Sequence, residues 1–136
     1  MNTLPWRLRP GDDLRRALEA VVAGRGLEAA FVLCGIGSLG VTRLRLAGAP
    51  APTELAGDVE ILTLAGSVGA AQSHLHASVS DAQGHVLGGH LAYGCMVRTT
   101  AEVLLAVLPE WRFTREPDPA TGFEELTVKP RAGAAP

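Results

Sequence analysis

The chain has 136 residues, 47% of them hydrophobic and only 4% aromatic, with a net charge of −2. That length suits one domain with a sizeable core, built here mostly from Leu, Val and Ala. The charge balance excludes a general attraction to nucleic acid or to anionic membrane surfaces, and no apolar run approaches the ~20 residues needed to span a bilayer. Cys34 and Cys95 are too few for a disulfide framework and have no metal-ligand spacing, so both are expected to be reduced and buried. The first ten residues, MNTLPWRLRP, lack the apolar segment of a secretory signal, and a cytoplasmic protein is the expectation.

In chain order, Leu4–Arg9 alternates apolar and basic residues and reads as a short strand ended by Pro10-Gly11. Asp12 or Asp13 can cap a helix with Leu14, Ala17, Leu18, Val21 and Val22 on one stripe. Arg15, Arg16 and Glu19 then fall on the solvent side, and Gly24 and Gly26 supply stop signals. Ala29–Gly37 is a continuous apolar run, expected as a central strand buried on both faces. Gly35–Gly40 matches G-x-G-x-x-G, the dinucleotide fingerprint, which requires a helix at its end. Val41–Leu46 alternates as a strand instead, so these glycines are read as a tight bend or a close backbone approach. Ala47–Gly57 is a Pro/Gly/Ala loop. Asp58–Gly66 is a further strand, expected to bury Val59, Ile61, Thr63 and Ala65 on one side and Leu62 and Leu64 on the other.

All four histidines lie between Gln72 and Arg98. Ser73–Asp81 and His85–Ala92 both alternate, and the turn signal Asp81-Ala82-Gln83-Gly84 separates them, so the segment reads as a β-hairpin. A three-residue loop with Gly84 in the left-handed position sets Asp81 opposite His85. Val79 then faces Leu87, Ala77 faces Gly89 and Leu75 faces Leu91. On the other face His76 stands opposite His90, with His74 one step along. A slip of one residue would mix the faces. Directly opposed residues have Cβ atoms roughly 4.5–5.5 Å apart, close enough for imidazoles to share a cation. His74, His76 and His90 are therefore a candidate metal site, most naturally for zinc, with three protein ligands and one open position. The competing reading makes them polar residues on a half-exposed sheet face, bonded to neighbours or to another subunit. His85, beside Asp81, reads as a turn residue.

Further on, Thr100–Leu108 is expected as a strand, with Glu102 its one acid. Trp111–Glu116 and Phe123–Val128 are two closing strands around a Pro/Gly loop, and Lys129–Pro136 is a tail expected to be disordered. One helix and seven or eight strands make the class α+β, a largely antiparallel sheet with a helix on one face. No nucleophile elbow or Walker loop is present. Glu102 is the one candidate general base for chemistry at a bound metal, which can activate water near neutral pH.

The succession PGDDL at Pro10–Leu14, CGIGSL at Cys34–Leu39 and GDVEILTLAGSV at Gly57–Val68 resembles the plant-and-prokaryote conserved (PPC) domain. So do HLHASVSDAQGHVLGGHL at His74–Leu91 and VRTTAE at Val97–Glu102. The resemblance runs from about Trp6 to Val128. It implies one main helix packed on a sheet of about seven strands, assembled as a homotrimer. In plant proteins of this kind an AT-hook contacts A·T-rich DNA while the PPC domain mediates assembly and partner recruitment. Prokaryotic members are described as candidate DNA-binding proteins, and the histidines matching His74, His76 and His90 hold a metal in some. The present chain has no Arg-Gly-Arg hook core, only Lys129-Pro130-Arg131-Ala132-Gly133, and no basic tract to neutralise phosphates.

The expectation is thus a single PPC-like domain over residues 1–128 with a tail over 129–136. Its expected role is non-enzymatic, as a trimer with an assembly or DNA-associated regulatory function and a histidine site for a metal or small ligand. The alternative is a zinc-dependent enzyme acting on a small polar or anionic substrate.

Overall fold

The computed structural model describes residues 2–70 and 72–133. The elements in chain order are β1 (Thr3–Leu8), α1 (Leu14–Gly24), β2 (Ala29–Arg45), β3 (Thr53–Leu55) and β4 (Val59–Gly69). There follow β5 (Ser73–Ser80), β6 (Val86–Leu91), β7 (Met96–Val107), β8 (Trp111–Asp118) and β9 (Phe123–Pro130). The class is α+β, as expected. Seven strands form one antiparallel sheet in the order β1-β7-β2-β4-β5-β6, with β3 on the end of β2. The end of β2 also pairs with β6, so β2, β4, β5 and β6 close on themselves. β8 and β9 form a separate hairpin.

The helix α1 starts where Asp13 accepts a hydrogen bond from the Arg16 amide, and Gly26 ends it in the left-handed region. Its buried residues Leu14, Leu18, Val21 and Val22 are four of the five expected. Leu14, Leu18 and Val22 join one core cluster with Val68, Leu75, Leu91, Cys95 and Leu105 of the sheet. Truncating one of these buried leucines costs about 2–5 kcal/mol, so Leu18→Ala alone removes a large share of a small domain's stability.

Several expectations are corrected. β2 is a 17-residue strand, twice the expected length, and it is not buried on both faces. Leu33 (46%) and Ile36 (57%) are exposed, and so is Cys34, contrary to its expected burial. Cys95 is buried as expected. The cause is an irregularity between Val32 and Cys34, where β2 gains a residue against β7. A bulge of this kind leaves a residue unpaired and switches which side chains face inward beyond it. A second one lies between Ile61 and Thr63 of β4. It keeps Val59, Ile61 and Leu64 inside and leaves Leu62, Thr63 and Ala65 exposed, unlike the strict alternation expected.

The glycine fingerprint lies within β2 and opens no helix. Gly37 has φ 150, and a Cβ there would lie 2.3 Å from the Thr100 carbonyl oxygen, so it permits a close approach of β2 to β7. The expected loop over 47–57 contains the short strand β3. β7 begins at Met96, four residues before the expected start, and Lys129 and Pro130 belong to β9 rather than to a tail. Residues 134–136 of that tail lie outside the described residues.

Candidate metal centre

The β5–β6 hairpin has the register read from its turn. His76 pairs with His90, Ala77 with Gly89 and Val79 with Leu87. The turn is locked by Asp81, whose Oδ1 accepts from the backbone amides of Gln83 and His85, both at 2.9 Å. Those bonds, that from the His85 amide foremost, hold the Asp81 carboxyl below its usual range. His85 also places Nδ1 3.0 Å from Asp81 Oδ2 and takes no part in the cluster. Beyond His90 the strands part. Leu91 pairs with Leu44 of β2 rather than with Leu75, and Leu87 stays exposed at the sheet edge.

Alternation turns Ser73, Leu75, Ala77 and Val79 inward and His74 and His76 outward. The three histidines converge. His74 Nε2 lies 3.0 Å from His76 Nε2 and 3.0 Å from His90 Nδ1, and His76 Nε2 lies 3.2 Å from His90 Nδ1. Three ring nitrogens facing one another at these distances cannot all be satisfied by N–H donation, because each carries either a proton or a lone pair. A cation satisfies all three. Neighbouring nitrogens of a tetrahedral zinc with bonds of 2.0–2.1 Å stand about 3.3 Å apart, so the spacing fits. His74, His76 and His90 are also a group of metal-binding side chains whose ligand atoms cluster within 4.8 Å.

Burial and neighbouring positive charge favour the neutral rings of His74 and His90, the form that binds a cation. Partial burial, then repulsion from Arg45 and the other two histidines, pushes His90 down to about 4. Burial, followed by repulsion from His76, Arg115 and Arg15, also lowers His74, with Glu125 opposing.

The surrounding residues were not legible from the sequence. Arg15, expected on the solvent side, reaches back from α1 to the ends of both histidine strands. Its Nε donates to Ser73 Oγ at 2.9 Å and its terminal nitrogens donate to the carbonyls of Ser73 and Leu91. Ser73 precedes His74 and Leu91 follows His90, so one guanidinium ties the two strands beside the cluster. Glu19, expected outward as well, completes the arrangement. It accepts from Ser73 Oγ at 2.5 Å and from the Tyr93 hydroxyl at 2.9 Å, and it lies 3.5 Å from Arg15. Gly89 lets β6 approach β2, since a Cβ there would lie 2.6 Å from the Arg45 carbonyl oxygen.

The structure does not bring Glu102 to the histidines. It is exposed on β7, paired with Arg7 and Ile36, and β2 and β4 stand between β7 and β5. The acids that share a cleft with His74 and His90 are Glu54, Glu124 and Glu125.

Comparison with known proteins places the chain. Residues 1–109 match the Plants and Prokaryotes Conserved (PCC) domain. The chain belongs to this family. A bifunctional protein GlmU of a Synechococcus strain is 49% identical over 133 residues, covering 98% of this chain and 21% of that protein. The chain thus spans about a fifth of the length of the curated relatives it matches. A hypothetical protein from Salmonella superposes with a TM-score of 0.91 at 39% identity, over 96% of this chain and 94% of that one. A metal-containing protein from Archaeoglobus fulgidus superposes with a TM-score of 0.78 at 25% identity, over 93% and 94%. A Ralstonia eutropha protein named for a proposed DNA-binding role reaches 0.76 at 25% identity, over 92% and 90%. Among the described residues no helix is long and apolar enough to cross a membrane.

Proposed function

We propose that this PCC-domain protein is a non-enzymatic, cytoplasmic homotrimer. It carries a divalent metal, zinc by ligand type, on His74, His76 and His90, and it serves an assembly or DNA-associated regulatory role. The observation that carries the metal reading is the triangle of ring nitrogens at 3.0–3.2 Å. The Archaeoglobus relative described as metal-containing supports it. The trimer reading rests on the family and on the exposed apolar face of β2 and β4, where Phe31, Leu33, Ile36 and Leu62 lie open in one chain. Contiguous apolar surface of this kind is covered in stable soluble proteins. In a trimer it supplies the second buried face that the sequence predicts for β2.

The DNA-associated part draws on the Ralstonia relative and on the family alone. The net charge of −2 argues for recruitment through a partner rather than for direct phosphate contact.

A mobility-shift titration at low salt with A·T-rich duplex tests the DNA part. Absence of binding by the protein alone is the expected result, and tight binding with a steep salt dependence would contradict indirect recruitment. Melting with and without chelator tests the metal part. A chelator-induced fall in Tm, restored by zinc, is expected.

A second reading is a zinc-dependent enzyme acting on a small polar or anionic substrate. The observation favouring it is the open cleft of about 1200 Å³ that reaches His74 and His90. A zinc ion held there would supply Lewis acidity, and Glu125, which lines that cleft and whose charge acts on His74, is the acid this reading assigns to accept a proton in place of Glu102. The reading requires turnover that His90→Ala and Glu125→Gln both abolish.

A further inference from the structure

The register delivers two arginines to the two ends of the histidine cluster. At one end, β2 pairs with β6 so that Arg45 stands directly opposite His90. At the other, Ser67 of β4 is the partner of His74, and Arg115 of β8 donates to Ser67 Oγ at 3.0 Å. Both line the same cleft as His74 and His90. Two further arginines line it, but Arg15 is paired with Glu19 and Arg43 with Glu54. Among the described residues Arg45 and Arg115 form no ion pair.

This arrangement contains an electrostatic conflict. A guanidinium beside an imidazole disfavours the protonated ring, and the same field disfavours any cation that the three rings hold. A cation site flanked by unpaired arginines becomes favourable once an anion lies between the two kinds of positive charge. Guanidinium groups suit that role because their planar N–H forks match the oxygens of phosphate and carboxylate.

We propose that the cleft beside His74, His76 and His90 binds a small molecule carrying a phosphate-type oxyanion, gripped by Arg45 and Arg115 on the side facing the cluster. Glu124 and Glu125 line the same cleft. Their carboxylates repel a continuous polyanion such as a duplex backbone, and they accept hydrogen bonds from hydroxyl or ammonium groups of a compact ligand. The occupant is therefore a single phosphorylated small molecule rather than a nucleic acid. The inference extends the metal reading, since the oxyanion faces the cluster, but the arginine contacts exist without an ion.

Inorganic phosphate is the probe. It is titrated by calorimetry against full-length protein loaded with stoichiometric zinc and freed of excess, and against chelator-treated protein. The variants are Arg45→Met and Arg115→Met, with Arg98→Met, whose partner is Asp58, as the control. The proposal predicts saturable binding to wild type, at least tenfold weaker in each cleft variant and unchanged in the control. Arg45→Lys, which keeps the charge but loses the fork, is expected to fall between wild type and Arg45→Met. It supplies the comparison if Arg45→Met does not fold. Equal binding by wild type and both cleft variants, or no binding to zinc-loaded wild type, would overturn the proposal. Displacement of phosphate by A·T-rich duplex at low salt with the same arginine dependence would also overturn it, in favour of a polynucleotide ligand. Arginine-dependent binding by a protein that takes up no zinc would sustain the oxyanion site while the metal reading fails.

Discussion

At the residue scale, the centre is governed by which proton states the surroundings allow. His90 is pushed to about 4, well below the ordinary histidine value of 6.5, so between these pH values the unfolded chain binds a proton that the folded chain does not. The stability contributed by neutral His90 is thus complete above about pH 6.5 and is lost as pH falls towards 4, with His74 adding in the same direction. Chelator-treated protein is expected to lose Tm progressively over that window. His90→Gln, which cannot titrate, should flatten the curve. A wild-type Tm constant between pH 7 and 4.5 would contradict the electrostatic account. Arg15 acts at one remove, fixing the strand ends on which His74 and His90 sit. Outer partners of this kind are worth about 10–100-fold in metal affinity. Arg15→Met should weaken zinc binding by that amount in a competition titration while leaving one site per chain, and unchanged affinity would remove Arg15 from the positioning role.

At the element scale, the β5–β6 hairpin was legible because local chemistry determines it. The Asp81–Gly84 turn fixes the pairing, alternation fixes the faces, and His76 falls opposite His90 without information from elsewhere in the chain. What escaped the sequence is long-range or lacks a local signal. The bulges near Leu33 and Leu62 carry no turn residue, so the sequence pattern runs through them without a sign of the exposed faces of β2 and β4. The pairing of β2 with β6 joins residues about a third of the chain apart in sequence and alone brings Arg45 to His90. Helical periodicity placed Arg15 and Glu19 on the outer face, yet long side chains at the margin of a stripe reach back over it. The expected role of Glu102 had only its isolation in an apolar run behind it, and strand order places it elsewhere. The β2–β6 approach depends on Gly89, where an added Cβ would lie 2.6 Å from a carbonyl oxygen. Gly89→Ala should therefore destabilise the fold by about 1–3 kcal/mol in denaturant unfolding and weaken zinc binding with it. A variant equal to wild type in both would show that the strands part without cost.

At the scale of the whole molecule, one chain covers one side of its sheet with α1 and leaves the other exposed and apolar around Phe31, Leu33 and Ile36. A homotrimer that covers this surface sediments at about 43 kDa, three times the 14.2 kDa chain. Leu33→Asp combined with Ile36→Glu should shift it towards the monomer, because buried unpaired carboxylates are costly at an interface. A wild-type monomer at micromolar concentration would contradict the assembly reading. The histidine cluster, by contrast, is complete within one chain, so the central claim can be tested without settling the assembly. The most direct measurement is elemental analysis of metal per chain for tag-free wild type and His76→Ala. The account predicts close to one divalent ion per chain, zinc foremost, lost in the variant. A wild-type protein that holds no metal even after incubation with zinc and removal of excess would contradict it.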